Sequence, residues 1–386
     1  MHALEHIKVV NFGSYIAGSH CGALLGDLGA DVIKVETLEG DPLRGLGSGF
    51  LAWSRAQKNI AIDLKKEKGL EIVRKLISRA DVIIENFRPG VPERLGVDYE
   101  TARKLRPDIV YVSLPGHGST GPYRDWAGFD PLLQARGGVM AGQGGKGKPP
   151  VFLGIAVSDY AGAMLGAYGA VLALWARSNT GQGQHVESSL TNAVISVQSG
   201  EFLDFPGKLP FALGGTDLKG LSATCRLYKT ADRWIFVLCL NENHWHALCR
   251  ALGREDLAGD GRFRDAEHRK VNEESLISIL QDIFVGQPAA HWQRILDDAG
   301  APCSTQVPYA EMAAEPHNIA NDLIVTHEHP TYGRVTEPGV PAHFSETPGT
   351  NWRPPLVLGE NTDEVLTDLG YNKEGIAALR AGNIIK

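Results

Sequence analysis

The stretch IKVVNFGSYIAGSHCGALLGDLGADVIKVE, residues 7–36, decides the fold class. It opens with a β-branched run at Ile7–Phe12, continues with a helical pattern at Gly18–Leu28, and closes with a second strand-like run at Asp31–Glu36. A strand, a helix and a strand in series favour two parallel strands joined by a crossover helix. The stretch therefore predicts a doubly wound α/β fold, with a parallel sheet covered by helices on both faces.

The same alternation continues through the first half of the chain. Three further strands are predicted, at Asn59–Asp63, Asp81–Glu85 and Asp108–Leu114, and two further helices, at Lys65–Arg79 and Tyr99–Leu105. A long helix follows at Val157–Ser178. Its many glycine and alanine residues allow close packing, so we expect it to be buried.

A different pattern begins after the Gly/Pro-rich stretch at 205–220. The sequence predicts a hairpin of Thr224–Tyr228 with Trp234–Leu240, and then helices near Asn243–Leu252, Glu273–Val285 and Pro288–Ala299. We therefore predict a large Rossmann-like domain and a smaller α+β domain. The boundaries are 1–204 for the first part of the large domain, 205–220 for a linker, 221–320 for the small domain, and 321–386 for a return linker and the C-terminal part of the large domain.

Composition excludes several classes of protein. No apolar run reaches the roughly 18–20 residues of a membrane span, and the first residues lack a charged region with a cleavage site, so we predict a cytoplasmic protein without a membrane partner. The five cysteines form no C-x-x-C pair, which favours reduced thiols. A net charge of −7 gives no global attraction to nucleic acid. The 45 glycines in 386 residues exceed the usual ~7% and imply many tight turns.

Several short motifs resemble known sites but lack the required context. Glu36 stands where an acid binds ribose in dinucleotide-binding folds, yet the loop before Gly18–Leu28 has no G-x-G-x-x-G. That pattern does occur at Gly142–Gly147, but two prolines follow it, which favours a surface loop over a phosphate site. The pair His327 and His329 lacks a third ligand, so no metal site is predicted. No G-x-S-x-G elbow is present, which argues against an α/β-hydrolase.

Longer stretches resemble the class III CoA-transferases, the CaiB/BaiF family. They are GADVIKVE at 29–36, a run at 81–138 that contains ENFRPG, a run at 157–190 that begins VSDYAGAMLG, and LGENTDEVLTDLG at 358–370. The resemblance implies a large Rossmann-like domain that contains both chain ends, and a smaller domain. It also implies two ring-shaped chains interlocked as a homodimer, or a heteromer with a related chain.

The resemblance also implies a nucleophile, Asp159, at the head of the long helix. Taken alone, Asp159 would be an N-cap or first-turn acid, and helix-end N–H groups that hold the carboxylate would keep it ionised and oriented. In the implied reaction the carboxylate attacks an acyl-CoA thioester, and an aspartyl-CoA thioester forms through a mixed anhydride. The substrates are then an acyl-CoA and a carboxylic acid, with no metal and no tightly bound cofactor. Backbone N–H groups of Gly-rich loops are the expected oxyanion donors.

The residues that the resemblance assigns to coenzyme A lie in five segments. Lys65, Arg88 and Arg94 would provide local positive charge for the phosphates. The alternative is that Arg88 and Arg94 pair with Glu85 and Glu93. The assigned residues are Ile16, Ala17, Ile62, Asp63, Leu64, Lys65, Asn86, Phe87, Arg88, Arg94, Gly128, Phe129 and Asp130.

Three positions depart from patterns within the family. Ile16 and Thr37 stand where formyl-CoA transferase-like members have glutamine and arginine, so oxalate or formate specificity is in doubt, and Ile16 suits a larger, less polar acid. Phe129 stands where the racemases have a proton-carrying histidine. The leading hypothesis is a CoA-transferase. An acyl-CoA racemase is one alternative, and a non-catalytic CoA-binding subunit is another, against which the presence of Asp159 argues.

Overall fold

The computed structural model describes residues 1–46, 48–145, 147–208, 217–330, 332–350 and 357–386, and the chain divides into two compact units. The larger unit contains Met1–Gly137, Leu153–Leu203 and Pro316–Lys386, and the smaller unit contains Gly138–Phe152 and Asp204–Glu315. Residues 138–152 were predicted to belong to the large domain. This segment instead folds back on itself within the smaller unit, where the Val151 N–H donates to the Met140 carbonyl at 2.9 Å. Residues 209–216 of the predicted linker lie outside the described residues.

Twelve strands are assigned within the described residues. In chain order they are β1 Lys8–Asn11, β2 Asp31–Glu36, β3 Lys58–Ala61, β4 Val82–Glu85, β5 Val110–Ser113, β6 His185–Glu187, β7 Gly220–Ser222, β8 Cys225–Lys229, β9 Trp234–Leu238, β10 Cys303–Thr305, β11 Ile324–His329 and β12 Gly333–Pro338.

The helices of the described residues are numbered in the same way, and a 3₁₀ helix covers Pro42–Leu46. They are α1 Tyr15–Asp27, α2 Ser48–Ser54, α3 Glu67–Arg79, α4 Val91–Leu95, α5 Tyr99–Leu105, α6 Asp130–Arg136, α7 Val139–Gly144, α8 Val157–Thr180, α9 Leu190–Ser196, α10 Ser199–Phe202, α11 Glu242–Ala251, α12 Glu255–Gly259, α13 Ala266–Val271, α14 Glu273–Phe284, α15 Ala289–Ala299, α16 Tyr309–Met312, α17 Pro316–Ala320, α18 Thr362–Asp368 and α19 Lys373–Ala381.

The larger unit is built on a six-stranded parallel sheet in the order β3-β2-β1-β4-β5-β6. This confirms the predicted parallel α/β class, and the five predicted strands lie within two residues of β1 to β5. Strand β6, a three-residue strand that pairs Val186 with Val112, was not predicted. It has no apolar run of its own, because the chain just before it reads GQGQ.

Alternation along the strands divides the core into two layers. On one face, Val9, Ile84 and Val112 pack with α1 and α8. On the other face, Val10 and Ile83 pack with α3, α5, α18 and α19. Because successive side chains of a strand point to opposite faces, each strand contributes to both layers. The two C-terminal helices thus complete a layer that the N-terminal half begins.

The long helix α8 begins at the predicted residue and ends at Thr180, two residues after the predicted end, where Gly181 adopts a left-handed conformation. Its small residues meet neighbours at close range: a Cβ built on Gly166 would lie 2.9 Å from Leu114 and 3.0 Å from the Cys21 sulfur. The helix is nevertheless long and apolar enough to cross a membrane by length and composition, contrary to the sequence expectation. The core helix of a folded domain meets the same test, and one face of α8 packs in this core.

The smaller unit has a four-stranded antiparallel sheet in the order β10-β9-β8-β7. The predicted hairpin corresponds to β8 and β9, and the three predicted helices correspond to α11, α14 and α15 within two residues. Trp245, Tyr228 and Phe284 fill its core.

Candidate active site

Several candidate site residues of the larger unit lie where the order of the strands in the parallel sheet reverses. Strands β1 and β4 are neighbours at the centre of the sheet, and in open α/β sheets ligands bind beyond the carboxyl ends of such strands. Asn86, just after β4, joins the two ends. The Ser14 N–H donates to its Oδ1 at 2.9 Å, and its Nδ2 donates to the Ser14 carbonyl at 2.8 Å. One side chain thereby positions the beginning of α1.

A close backbone contact and a buried lysine hold the beginning of α1 in place. Gly13 and Gly18 touch through their backbones, since a Cβ on Gly18 would lie 2.5 Å from the Gly13 Cα. The buried Lys34 ammonium donates to the Gly13 carbonyl at 2.6 Å and lies 3.2 Å from Asp41. Tyr15 adopts a φ of 55°, which is rare for a bulky residue and marks a constrained position.

A cavity of about 570 Å³ opens beside this turn. Its walls include Ser14, the segment 35–42, and five residues that the family resemblance assigns to coenzyme A. Those five are Ile62, Asp63, Leu64, Lys65 and Phe87. Five of the thirteen assigned positions therefore meet around one cavity, and the other eight are not among the residues that line it.

Lys65, Arg88 and Arg94 are exposed near this cavity, and none of them has an ion pair with a carboxylate of the described residues. The predicted alternative, pairing with Glu85 and Glu93, is therefore not observed. Glu85 is buried instead and accepts the Phe87 N–H at 2.8 Å, and burial raises its pKa to about 7. The three cations are free to meet a polyanion.

Glu36, at the end of β2, is not available to a ribose. Its buried carboxylate accepts hydrogen bonds from the Asp41 N–H at 2.7 Å, from Arg44 at 2.6 Å, and from Asn59. These partners satisfy the carboxylate within the protein. The structural role agrees with the missing G-x-G-x-x-G before α1.

Asp159 lies in the first turn of α8, with Ala156 at the N-cap position. No described residue donates a hydrogen bond to its carboxylate. Burial, and then the charge of Asp130, raise its pKa to about 7. The expectation that helix N–H groups keep it ionised is therefore wrong. The desolvated carboxylate is instead less stable as an anion, which makes the anion a stronger nucleophile.

The segment 128–130 has one exposed side chain and one buried side chain. Gly128 touches Gly116, because a Cβ on Gly128 would lie 2.3 Å from the Gly116 Cα. Phe129 is exposed and meets the Tyr15 ring edge-on at 5.6 Å. The side chain of Asp130 is buried and accepts from Ser158, so it faces the protein interior. Ile16 is half-buried and Ala17 is buried at the start of α1.

Sequence reasoning missed several residues that contact the beginning of α8 or the backbone just before it. Tyr160 accepts a hydrogen bond from the Trp53 indole at 2.9 Å and packs edge-on against His20 at 5.6 Å. Burial and then Arg55 lower the pKa of His20 to about 4, so this ring is neutral at pH 7. Gln134 was missed as well, although its position four residues after Asp130 in a helix is a visible signal.

Other candidate chemistry finds little support. Within the described ranges, no group of three or more His, Cys, Asp or Glu side chains lies together as a metal site would require. His327 lies 3.5 Å from Glu337. Burial raises the pKa of the thiols of Cys21, Cys239, Cys249 and Cys303 to about 12, so these are not thiolates at neutral pH. In the segment Gly142–Gly147, helix α7 precedes the last glycine instead of following it.

Comparison with known proteins identifies the class. The model of CoA-transferase family III matches residues 4–362. A succinyl-CoA–D-citramalate CoA-transferase of Chloroflexus aurantiacus is 33% identical over 99% of this chain and 98% of its own. The human succinyl-CoA:glutarate CoA-transferase is 30% identical over 99% of this chain and 90% of its own.

The fold is also similar to that of a solved structure from the same family. A CaiB/BaiF family protein from Brucella suis superimposes with a TM-score of 0.86 at 29% identity, over 95% of this chain and 99% of that one. The chain belongs to the class III CoA-transferase family.

Proposed function

We propose that this protein is an acyl-CoA:carboxylate CoA-transferase that uses Asp159 as its nucleophile. The observation that carries the proposal is the state of Asp159, a desolvated carboxylate with a pKa raised to about 7, in the first turn of α8. Its neighbour Ser158 contacts Asp130, and Phe129 contacts Tyr15 at the start of α1. The nucleophile is therefore linked to the carboxyl ends of the central strands.

The reaction proceeds by exchange at carbonyl carbons. The Asp159 carboxylate attacks the thioester carbonyl, the C–S bond breaks, and CoA thiolate leaves behind a mixed anhydride. The thiolate then attacks the aspartyl carbonyl, which releases the donor acid and forms aspartyl-CoA thioester. The acceptor carboxylate repeats both steps in reverse and regenerates Asp159. Every step exchanges one carboxylate or thiolate for another, so no net proton is consumed and the thioester free energy is conserved.

Binding of coenzyme A is assigned to the cavity beside α1. Lys65, Arg88 and Arg94 meet the phosphates, and the apolar walls at Ile62, Leu64 and Phe87 receive the adenine ring. Ile16, Ala17, Asn86, Gly128 and Asp130 remain assigned to this site by family resemblance, with the side chain of Asp130 turned inward. The backbone N–H groups at the start of α1 are the candidate donors to the carbonyl oxyanion.

The acyl site has an apolar character. Two of the positions at which this chain departs from family patterns, Ile16 and Phe129, are assigned to this site. Neither side chain can hydrogen-bond a second carboxylate on the acyl group or the acceptor acid. Because relatives are named for succinyl-CoA as donor, we use succinyl-CoA as the first donor to test and a series of acceptors of increasing size and decreasing polarity. We expect larger, less polar acceptors to react faster than oxalate or formate.

Transfer should require an acceptor acid. We expect a 2-methylacyl-CoA in deuterated water without an acceptor to keep its α-configuration and gain no α-deuterium, because Phe129 has no titratable proton. A missing general base lowers a proton-transfer rate by about 10²–10⁴-fold. Adding a carboxylate should move CoA onto it. Mass spectrometry and NMR of the recovered thioesters follow both outcomes.

The alternatives give different results in this assay. Rapid α-exchange that needs no carboxylate would identify a racemase. Binding of CoA by the isolated chain without any transfer would identify a subunit that needs a related partner chain. Either result contradicts the proposed function.

We also propose a homodimer in which a second copy covers the exposed face of α8. Opposite its packed face, α8 carries apolar side chains at helical spacing, with Tyr168 63% and Trp175 69% exposed. We call this surface the α8 stripe. Contiguous exposed apolar patches on soluble proteins mark interfaces. The stripe consists of Met164, Tyr168, Val171, Leu172 and Trp175.

Two charges on the α8 stripe should break the dimer. We expect light scattering to give a dimer mass for the parent protein at micromolar concentration, and a monomer mass for the double variant Tyr168→Asp, Trp175→Asp. The control Val271→Asp, at an apolar residue that is 84% exposed in the smaller unit, should stay dimeric. A parent protein that is monomeric and fully active would contradict the proposed dimer.

A further inference from the structure

Helix α6 carries two polar side chains that are buried together. Asp130 is its first residue and Gln134 follows one turn later, so both lie on the same side of the helix. Asp130 is 5% exposed and Gln134 is fully buried. Buried polar side chains require partners, and these two find theirs on the segment that leads into α8.

Asp130 holds the first turn of α8. One of its oxygens accepts from the Ser158 N–H at 2.8 Å and from the Ser158 hydroxyl at 2.6 Å. Its other oxygen accepts from the Gln134 amide at 2.6 Å. The helix has Ala156 at its N-cap position and no side-chain cap of its own, so Asp130 supplies this acceptor from another helix.

Gln134 holds the backbone just before α8. Its Nε2 donates to the carbonyls of Leu153 and Ile155 at 3.1 and 3.0 Å. Its Oε1 accepts the Leu153 N–H at 3.2 Å. Gly154, between these residues, has no neighbour within 4 Å of a built Cβ, so side-chain packing does not hold the backbone there.

We propose that Asp130 and Gln134 form a clamp that positions Asp159 and sets its reactivity, an inference that rests on the proposed function. The two residues fix the chain from Leu153 to Ser158, immediately before the nucleophile. Asp130 then has a second effect, through its charge. Both are positioning residues, because they act on the reaction through Asp159.

The charge of Asp130 distinguishes this clamp from an ordinary helix cap. Asparagine could also accept the Ser158 N–H, but only a carboxylate repels the ionised form of Asp159. After burial, Asp130 is the charged group that raises the pKa of Asp159. On α1, the His20 ring packs against Tyr160, the residue after Asp159, and this ring is neutral at pH 7.

The test compares pH profiles of covalent adduct formation. The parent rate should rise with pH as Asp159 ionises and reach a plateau. In Asp130→Asn the repulsion is absent, so the rise should shift to lower pH by about one unit, while the plateau falls about tenfold or more. In Gln134→Leu the charge remains, so we expect a lower plateau with the rise near its parental pH.

Two further variants make the result specific. Gln281→Leu removes two side-chain hydrogen bonds to the backbone of Lys229, in the smaller unit, and should leave the profile unchanged. If Asp130→Asn does not fold in a thermal melt, Asp130→Glu keeps the charge and should keep the pH of the rise with a lower plateau.

Each outcome decides the inference. The clamp is overturned if Asp130→Asn has the parental plateau rate and its rate rises at the parental pH. It is also overturned if the rate of Asp130→Asn is lower at every pH but still rises at the parental pH. A parental plateau in Gln134→Leu and Asp130→Glu overturns it as well. Failure of the proposed function itself would show separately, as an adduct that survives in Asp159→Ala.

Discussion

Asp159→Ala should abolish turnover and covalent adduct together, with a loss of at least about 10⁴-fold, as expected when a nucleophile is removed. The fold should survive, because no described residue hydrogen-bonds to this carboxylate. Its pKa is raised on folding, so ionising it disfavours the folded state as pH rises from its unfolded value toward about 7. We therefore expect the alanine variant to melt at the same temperature as the parent or higher at pH 8.

The measurement is mass spectrometry after incubation with succinyl-CoA. The parent should give a peptide that contains Asp159 and carries the added mass of CoA, and the variant should not. Asp125→Ala, at an exposed aspartate, is the matched control and should retain adduct and activity. Asparagine at 159 is a poorer substitution because slow deamidation restores the acid. An alanine variant with parental activity would remove Asp159 from the mechanism.

Gly128→Ala should lower activity by about 100-fold and destabilise the fold. The new Cβ would lie 2.3 Å from the Gly116 Cα, and neither position is left-handed, so the conflict is one of space. Overpacking of this kind costs about 1–3 kcal/mol of the free energy of unfolding. Since Phe129 and Asp130 follow directly, separating the two loops by about 1 Å also displaces residues next to Asp159, which can lower a rate about 10²-fold.

The control for this variant is Gly200→Ala, in α10 of the same unit. A Cβ built there meets no atom within 4 Å, and alanine favours a helix over glycine. Thermal melts and initial rates should leave Gly200→Ala at parental values. A Gly128→Ala protein as stable and as active as the parent would contradict the tight contact between Gly116 and Gly128.

Long and regular elements were predicted most accurately from the sequence. Helix α8 begins where predicted, because its pattern of small residues starts there. The three-residue strand β6 was not predicted, since it has no apolar run and depends on pairing with β5, which is far away in sequence. The hairpin β11–β12 was not predicted either, although its two strands are close in sequence, because neither strand has a run of apolar residues. The boundary near 138–152 was wrong for a similar reason, because the segment is assigned by its packing in the smaller unit.

Some residues of the candidate site were predicted from the sequence, and others were found only in the structure. Family motifs in the sequence nominated Asp159, Lys65 and Arg88, and the structure brings five of the nominated coenzyme A positions around one cavity. Gln134 and Ser158 carry no motif and were missed. Their role depends on hydrogen bonds between helices that local sequence does not encode.

By itself, the sequence determined the parallel α/β class, the position of the long helix and the identity of a candidate nucleophile near its start, because periodicity and family motifs are local properties. Only the tertiary structure decided the state of Asp159. Its pKa depends on burial and on the charge of Asp130, which lies on another helix. Desolvation and Coulomb interaction act through space, so they exist only once α6 and α8 are packed together.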